Sequence, residues 1–134
     1  MAFVLDASVA ACWLFPDEHH PQASEAWRRS ADDPVLVPAH WWFEVCNTIL
    51  MAERRGRFSV SITSDALARL ALLPIQEAGK PIDANVFILA RKHRLTFYDA
   101  AYLELASREA LPLATLDARL ADAAAAEGVF LIGK

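Results

Sequence analysis

The stretch Ala2-Phe3-Val4-Leu5-Asp6-Ala7-Ser8-Val9 decides the fold. Phe3, Val4 and Leu5 form an apolar run with no polar break, the pattern of a strand buried on both faces, as in a parallel sheet. A carboxylate, Asp6, stands where that strand should stop. Ser8 is a candidate cap for a helix running through Val9, Ala10, Ala11, Cys12, Trp13 and Leu14. In open α/β sheets ligands bind beyond the carboxyl ends of the strands, so Asp6 is placed for chemistry. The plainer reading is that it only helps to start the helix.

Working outward, Phe15 to Pro21 is a loop with a proline near each end. Its adjacent His19 and His20 read as solvated, because neighbouring side chains do not face one another. Gln22 to Ala31 reads as a helix with Ala23, Ala26 and Trp27 on one face. Val35-Leu36-Val37, closed by Pro38, is a second buried strand. A long helix follows from about Ala39 to Arg55, with Gly56 as its stop. Another spans about Ser61 to Leu72, with Ile62, Leu67, Leu70 and Leu73 as core candidates, and Pro74-Ile75-Gln76 is a weak third strand. Asp83 to His93 is helical, with Val86, Phe87, Leu89 and Ala90 apolar; Leu95 to Tyr98 connects it to a helix over Asp99 to Ala110. Leu113-Ala114-Thr115 is a fourth strand, Asp117 to Glu127 an alanine-rich helix closed by Gly128, and Val129 to Ile132 the last strand. Strands alternating with helices predict an α/β fold with a mainly parallel sheet. A chain of 134 residues suits one domain, 1–134.

Hydrophobic residues make up 55% of the chain, enough for a core and too many for disorder. No apolar run reaches the length of a membrane span, and the N-terminus lacks the basic start of a signal peptide, so a cytoplasmic protein is expected. Cys12 and Cys46 have no C-x-x-C spacing and read as free thiols in a reducing compartment. A net charge of −4 argues against holding nucleic acid by charge alone. It leaves a nuclease open, since bound metal ions change the local charge.

Most acidic residues fall where solvent is expected, among them Asp17, Glu18, Asp32, Asp33, Glu53, Glu109 and Glu127. Four do not. Asp6 ends the first strand. Glu44 lies in Trp41-Trp42-Phe43-Glu44-Val45-Cys46-Asn47, a helix apolar nearly all round and therefore expected to be buried, where a lone carboxylate is costly unless paired or metal-bound. Asp99 begins a helix, although Thr96-Phe97-Tyr98-Asp99 also fits a capping box. Asp117 follows the fourth strand, where it is also a helix-start acid favoured by the dipole. All four positions belong to one rim of a parallel sheet. Carboxylates converging there repel, and divalent cations relieve the repulsion; an all-oxygen set without His or Cys suits Mg²⁺ or Mn²⁺ rather than zinc.

Val4-Leu5-Asp6-Ala7-Ser8-Val9, Glu44-Val45-Cys46-Asn47, Tyr98-Asp99-Ala100-Ala101-Tyr102 and Thr115-Leu116-Asp117 together resemble the PIN-domain family, and more narrowly the VapC-type toxins of bacterial toxin–antitoxin pairs. The resemblance runs over essentially the whole chain. It implies a three-layer α/β/α sandwich with strand order 3-2-1-4-5 and a Mg²⁺- or Mn²⁺-dependent endoribonuclease that hydrolyses RNA phosphodiesters. It carries the catalytic, metal-binding acids to Asp6, Glu44, Asp99 and Asp117, and the small polar positions around them to Ser8, Asn47 and Thr115. It implies a homodimer as well, and a cognate antitoxin that inserts a basic residue near the acids.

Other classes place an Asp after the first strand too. A haloacid-dehalogenase phosphatase wants a second Asp two residues on, where this chain has Ser8, and a receiver wants adjacent acids near the first strand and a lysine after its last strands, neither of which stands in a convincing position here. A housekeeping RNA-processing nuclease, or a binding module that keeps the acids without catalysis, shares the fold and is separated by experiment.

Overall fold

The computed structural model describes residues 1–134. Its centre is a parallel sheet of four short strands, β1 (Phe3–Leu5), β2 (Val35–Val37), β3 (Ile75–Glu77) and β4 (Leu113–Ala114), in the order β3-β2-β1-β4. Phe3 and Val4 pair with Val35 and Leu36, Val4 and Leu5 with Leu113 and Ala114, and Val35 to Val37 with Ile75 to Glu77. The chain steps outward from β1 through β2 to β3 and then returns past β1 to β4. The order therefore reverses between β1 and β4, where open α/β sheets open a crevice at their carboxyl ends. The expected fifth strand is reduced to one parallel bridge, Leu131 with Leu113, held by Leu113 N–H to the Phe130 carbonyl at 2.8 Å and Ile132 N–H to the Leu113 carbonyl at 3.0 Å. Gly128 and Gly133, both at positive φ, turn the chain on either side, and the β4 strand it pairs with is itself only two residues long.

Seven helices flank the sheet: α1 (Ala7–Leu14), α2 (Pro21–Ser30), α3 (Trp41–Arg54), α4 (Val60–Leu70), α5 (Asp83–His93), α6 (Phe97–Glu109) and α7 (Ala118–Ala126). α1 packs on α2 and α3, and α3 on α4, while α6 packs on α5, α7, β1 and β4. These two sets are the outer layers of the α/β/α sandwich. One cluster of 36 buried apolar residues joins them through β1, whose Phe3, Val4 and Leu5 have no exposed surface.

Three local expectations change. Ser8 does not cap α1; the helix already includes Ala7, its N-cap is Asp6, and no side chain supplies the cap bond. α6 begins at Phe97, two residues earlier than expected, because the Thr96 hydroxyl accepts the Asp99 N–H at 3.1 Å. α3 is not buried all round. It buries only Trp41, Val45, Ile49 and Ala52, one stripe at helical spacing, and leaves Phe43 75% exposed with Trp42 and Leu50 also in solvent. Trp27, Ile62 and Phe87 likewise stay exposed, Trp27 standing edge-on to Trp13 with ring centroids 5.1 Å apart.

Candidate active site

Asp6 leaves the end of β1 and is 4% exposed. Its Oδ2 receives two hydroxyls: Ser8 Oγ–H at 2.7 Å and Thr115 Oγ1–H at 2.6 Å. Each hydroxyl in turn accepts a backbone N–H from the segment after β4, Leu116 N–H to Ser8 Oγ and Asp117 N–H to Thr115 Oγ1, both at 3.0 Å. This network spans the crevice between β1 and β4. It fixes the carboxylate through one oxygen and leaves Oδ1 without a donor.

Glu44, one turn into α3, follows the same plan. Its Oε1 accepts the Tyr102 hydroxyl at 2.6 Å, with His40 Nε2 at 3.4 Å, and its Oε2 has no partner. His40 is the N-cap residue of α3, four residues before Glu44, and its Nε2 lies 3.0 Å from the Tyr98 carbonyl. A carbonyl only accepts, so Nε2 carries the proton. The ring is wedged against Tyr98 and Tyr102 at 5.3 and 5.1 Å between centroids, and burial lowers its pKa, which favours the neutral ring. The expectation that no histidine stands by the acids is therefore corrected. Asp117 is the N-cap of α7 and accepts the Leu120 N–H through Oδ1 at 2.9 Å, leaving Oδ2 free. Its helix-start role is real, and one oxygen suffices for it. Asn47 is exposed on α3, its amide unengaged, one turn past Glu44. Tyr102, fully buried, stood in the motif that carried the resemblance but was given no role, and His40 was not singled out at all. The signal was their spacing: Tyr102 lies three residues after Asp99, and His40 four before Glu44, on the same helical faces.

A model of the PIN domain matches residues 3–126. The chain is 33% identical over 126 residues to Ribonuclease VapC3 of Pyrobaculum aerophilum, covering 91% of this chain and 94% of that one. It is 32% identical over 121 residues to Ribonuclease VapC3 of Mycobacterium tuberculosis, covering 90% and 85%. It belongs to the PIN-domain family. Among solved structures, Pyrobaculum aerophilum PAE2754 superposes with a TM-score of 0.72 at 21% identity, over 92% of this chain and 84% of that one. Mycobacterium tuberculosis VapC20, described as a sarcin-ricin loop cleaving toxin, does so with a TM-score of 0.62 at 17% identity, over 90% and 94%. Within the family this chain is of the VapC type.

The electrostatics of this PIN domain follow from the crowding of acids. Burial, offset in part by the two hydroxyls, raises the Asp6 pKa to about 6, and the charges of Glu44 and Asp99 push the same way. Burial also raises Glu44 and Asp99, with Asp99 adding to Glu44 and Asp117 to Asp99. The four acids thus form a run of electrostatic neighbours in which no Lys or Arg makes an ion pair. No three of them, nor any three that include His or Cys, stand within joint reach of a single ion in this structure. Their donor chemistry still fits a hard divalent cation: Asp6, Glu44 and Asp117 each spend one oxygen on an orienting donor and keep the other free. Tyr102→Phe removes the donor that aims Glu44, with no change of volume in the core. Cleavage of RNA by that variant is expected to fall by about 10- to 100-fold with the melting temperature nearly unchanged, as read by steady-state assay and thermal scan.

Proposed function

We propose that this PIN domain, residues 1–134, is a Mg²⁺- or Mn²⁺-dependent endoribonuclease and the toxin of a type II toxin–antitoxin pair, working in the cytoplasm. The observation that carries the reading is Asp6: a nearly buried carboxylate, aimed by Ser8 and Thr115, at the point where the strand order reverses. The names of the relatives at 32–33% identity support the ribonuclease and toxin parts of it. Asp6 and Asp99 are the principal candidate ligands, with Glu44 and Asp117 completing the set. A bound cation would supply Lewis acidity and a water activated for attack on phosphorus. The protein's own part is positional. Ser8 and Thr115 hold Asp6, Tyr102 holds Glu44, and the free amide of Asn47 is available to a phosphate oxygen. Hydrolysis then leaves a 5′-phosphate on one product and a 3′-hydroxyl on the other.

The partners follow from surface chemistry. Phe43, Trp42 and Leu50 on α3 and Phe87 and Phe97 on α5 and α6 are exposed apolar side chains of the sort that subunit interfaces cover, which supports a homodimer. An antitoxin needs both a cation for the acidic rim and apolar anchors, since an exposed ion pair alone is worth little. A cavity of about 270 Å³ between the start of α3 and the end of α4, lined by Trp41, Trp42, Leu70, Leu73 and Ile75, supports such anchoring.

The test is co-expression with the neighbouring gene's product, followed by cleavage assays on the complex and on the freed chain. The free chain is expected to run as a dimer in light scattering and to cut RNA with Mg²⁺ but not with chelator, and the neighbour is expected to suppress the cut. A neighbour that neither co-purifies nor inhibits sinks the toxin assignment and leaves a housekeeping nuclease. A chain that cuts no RNA under any divalent ion sinks both.

A further inference from the structure

We infer that single-stranded RNA leaves the acidic rim along the groove between α1 and α3, and that Arg55 holds one of its phosphates there; this rests on the ribonuclease reading above. The groove is a cavity of about 330 Å³ whose lining includes Ser8, Cys12, Glu18, Asn47, Met51 and Arg55. One end is the site itself, because Ser8 is bonded to Asp6 at 2.7 Å. Asn47, Met51 and Arg55 follow at intervals of four along α3, so they form one stripe facing the groove. At 1.5 Å per residue the stripe runs about 12 Å, room for a phosphate about two nucleotides from the scissile one.

Charge singles out Arg55. Arg57 also lines the groove, but its guanidinium is committed to Asp17 at 3.0 Å and Glu18 at 3.4 Å and lies 4.0 Å over the Phe15 ring. Shared between two carboxylates, Arg57 offsets only part of the charge of Glu18, the only acid in the lining, and has no charge to spare for a polyanion. Elsewhere Lys92 is paired with Glu127 at 2.7 Å, and Arg91 lies 5.2 Å over Phe87. Arg55 is exposed and pairs with no carboxylate. A free, planar guanidinium at the end of a polar groove that begins at the catalytic acids is suited to bidentate phosphate contact. In a chain of net charge −4, such a cation is what gives a polyanion a path to the site.

The test uses full-length protein carrying Asp6→Asn, which separates binding from cleavage, and a fluorescein-labelled pool of random-sequence single-stranded RNA. Adding Arg55→Ala is expected to weaken binding about fivefold and to reduce the slope of log K against log salt by about 0.7, the loss of one phosphate contact on a single strand. Arg55→Lys should keep most of the affinity, and Arg54→Ala, off the groove, should stay within about twofold of the parent. In the otherwise native chain, Arg55→Ala should raise KM with little change in kcat. Unchanged RNA affinity and salt slope in Arg55→Ala overturn the inference, as does a variant that loses only antitoxin binding. Cleavage persisting in Asp6→Asn would overturn the catalytic reading instead, and the binding comparison would still decide the groove.

Discussion

Asp6→Asn is expected to abolish divalent-dependent RNA cleavage, by roughly a thousandfold or more, while making the metal-free protein more stable. The two effects have one cause. Asp6 sits in a nearly buried site, near Glu44 and Asp99, where its carboxyl titrates at about 6 rather than 3.8. Below pH 3.8 the group is protonated in both the folded and unfolded chain and costs nothing. Between 3.8 and 6 the unfolded chain gives up this proton while the folded chain keeps it, so stability falls as pH rises through that window and the full cost stands once the folded state ionises above 6. A shift of that size corresponds to about 2–3 kcal/mol at pH 8. Asn keeps one oxygen to accept both the Ser8 and Thr115 hydroxyls, so the network survives while the charge is removed. Thermal scans in chelator should show Asp6→Asn melting about 5–10 °C above the parent at pH 8 and level with it near pH 3.5. Adding Mg²⁺ should raise the melting temperature of the parent and leave the variant where it was. A variant that cuts RNA at the parent's rate removes Asp6 from the mechanism.

Arg108→Ala is expected to be strongly destabilising although it lies outside the site. Glu104, on α6, is 2% exposed. Its Oε1 accepts Arg108 Nε–H at 2.7 Å and the Ile82 backbone N–H, at the start of α5, at 3.0 Å; its Oε2 lies 3.4 Å from Arg108 Nη2. This carboxylate thus ties α5 to α6, the helix that carries Asp99 and Tyr102. Taking away Arg108 leaves a buried charge with a single amide donor. Breaking a buried pair in this way costs about 3–5 kcal/mol, whereas removing both charges together costs much less. Denaturant unfolding should therefore show a large loss for Arg108→Ala and a recovery of most of it in the Glu104→Met/Arg108→Met pair. A loss under about 1 kcal/mol in the single variant would mean that water reaches Glu104 and that the tie is not structural.

Glu104 also marks the limit of what sequence alone could supply. It is more deeply buried than any of the four acids singled out from sequence, and its apolar neighbours Tyr102, Leu103, Leu105 and Ala106 are the same kind of signal that marked Glu44. Its burial comes from α5, whose N-terminal backbone lies over it, and that is a contact between elements 22 residues apart. For Glu44 that signal proved too strong: α3 covers only one stripe, and the exposed Phe43 and Leu50 belong to a surface. Composition says how apolar a helix is but not how many neighbours it has.

What the sequence by itself determined is the α/β architecture, the parallel strands and the rim. Phe3-Val4-Leu5 followed by Asp6, and Leu113-Ala114-Thr115 followed by Asp117, are local patterns whose period and stop signals act within a few residues. What only the tertiary structure decided is how each acid is held. Ser8 looked like a helix cap and instead joins Thr115 on one oxygen of Asp6, across 109 positions of chain from Asp6 to Thr115. Tyr102 and His40 reach Glu44 from α6 and from the start of α3. The shortened fifth strand was decided the same way, by a partner strand, β4, that is itself only two residues long. The physical reason is range: backbone propensity and hydrophobic period are set by neighbours in sequence, whereas the hydrogen bonds that aim a carboxylate need donors that only packing brings within 3 Å.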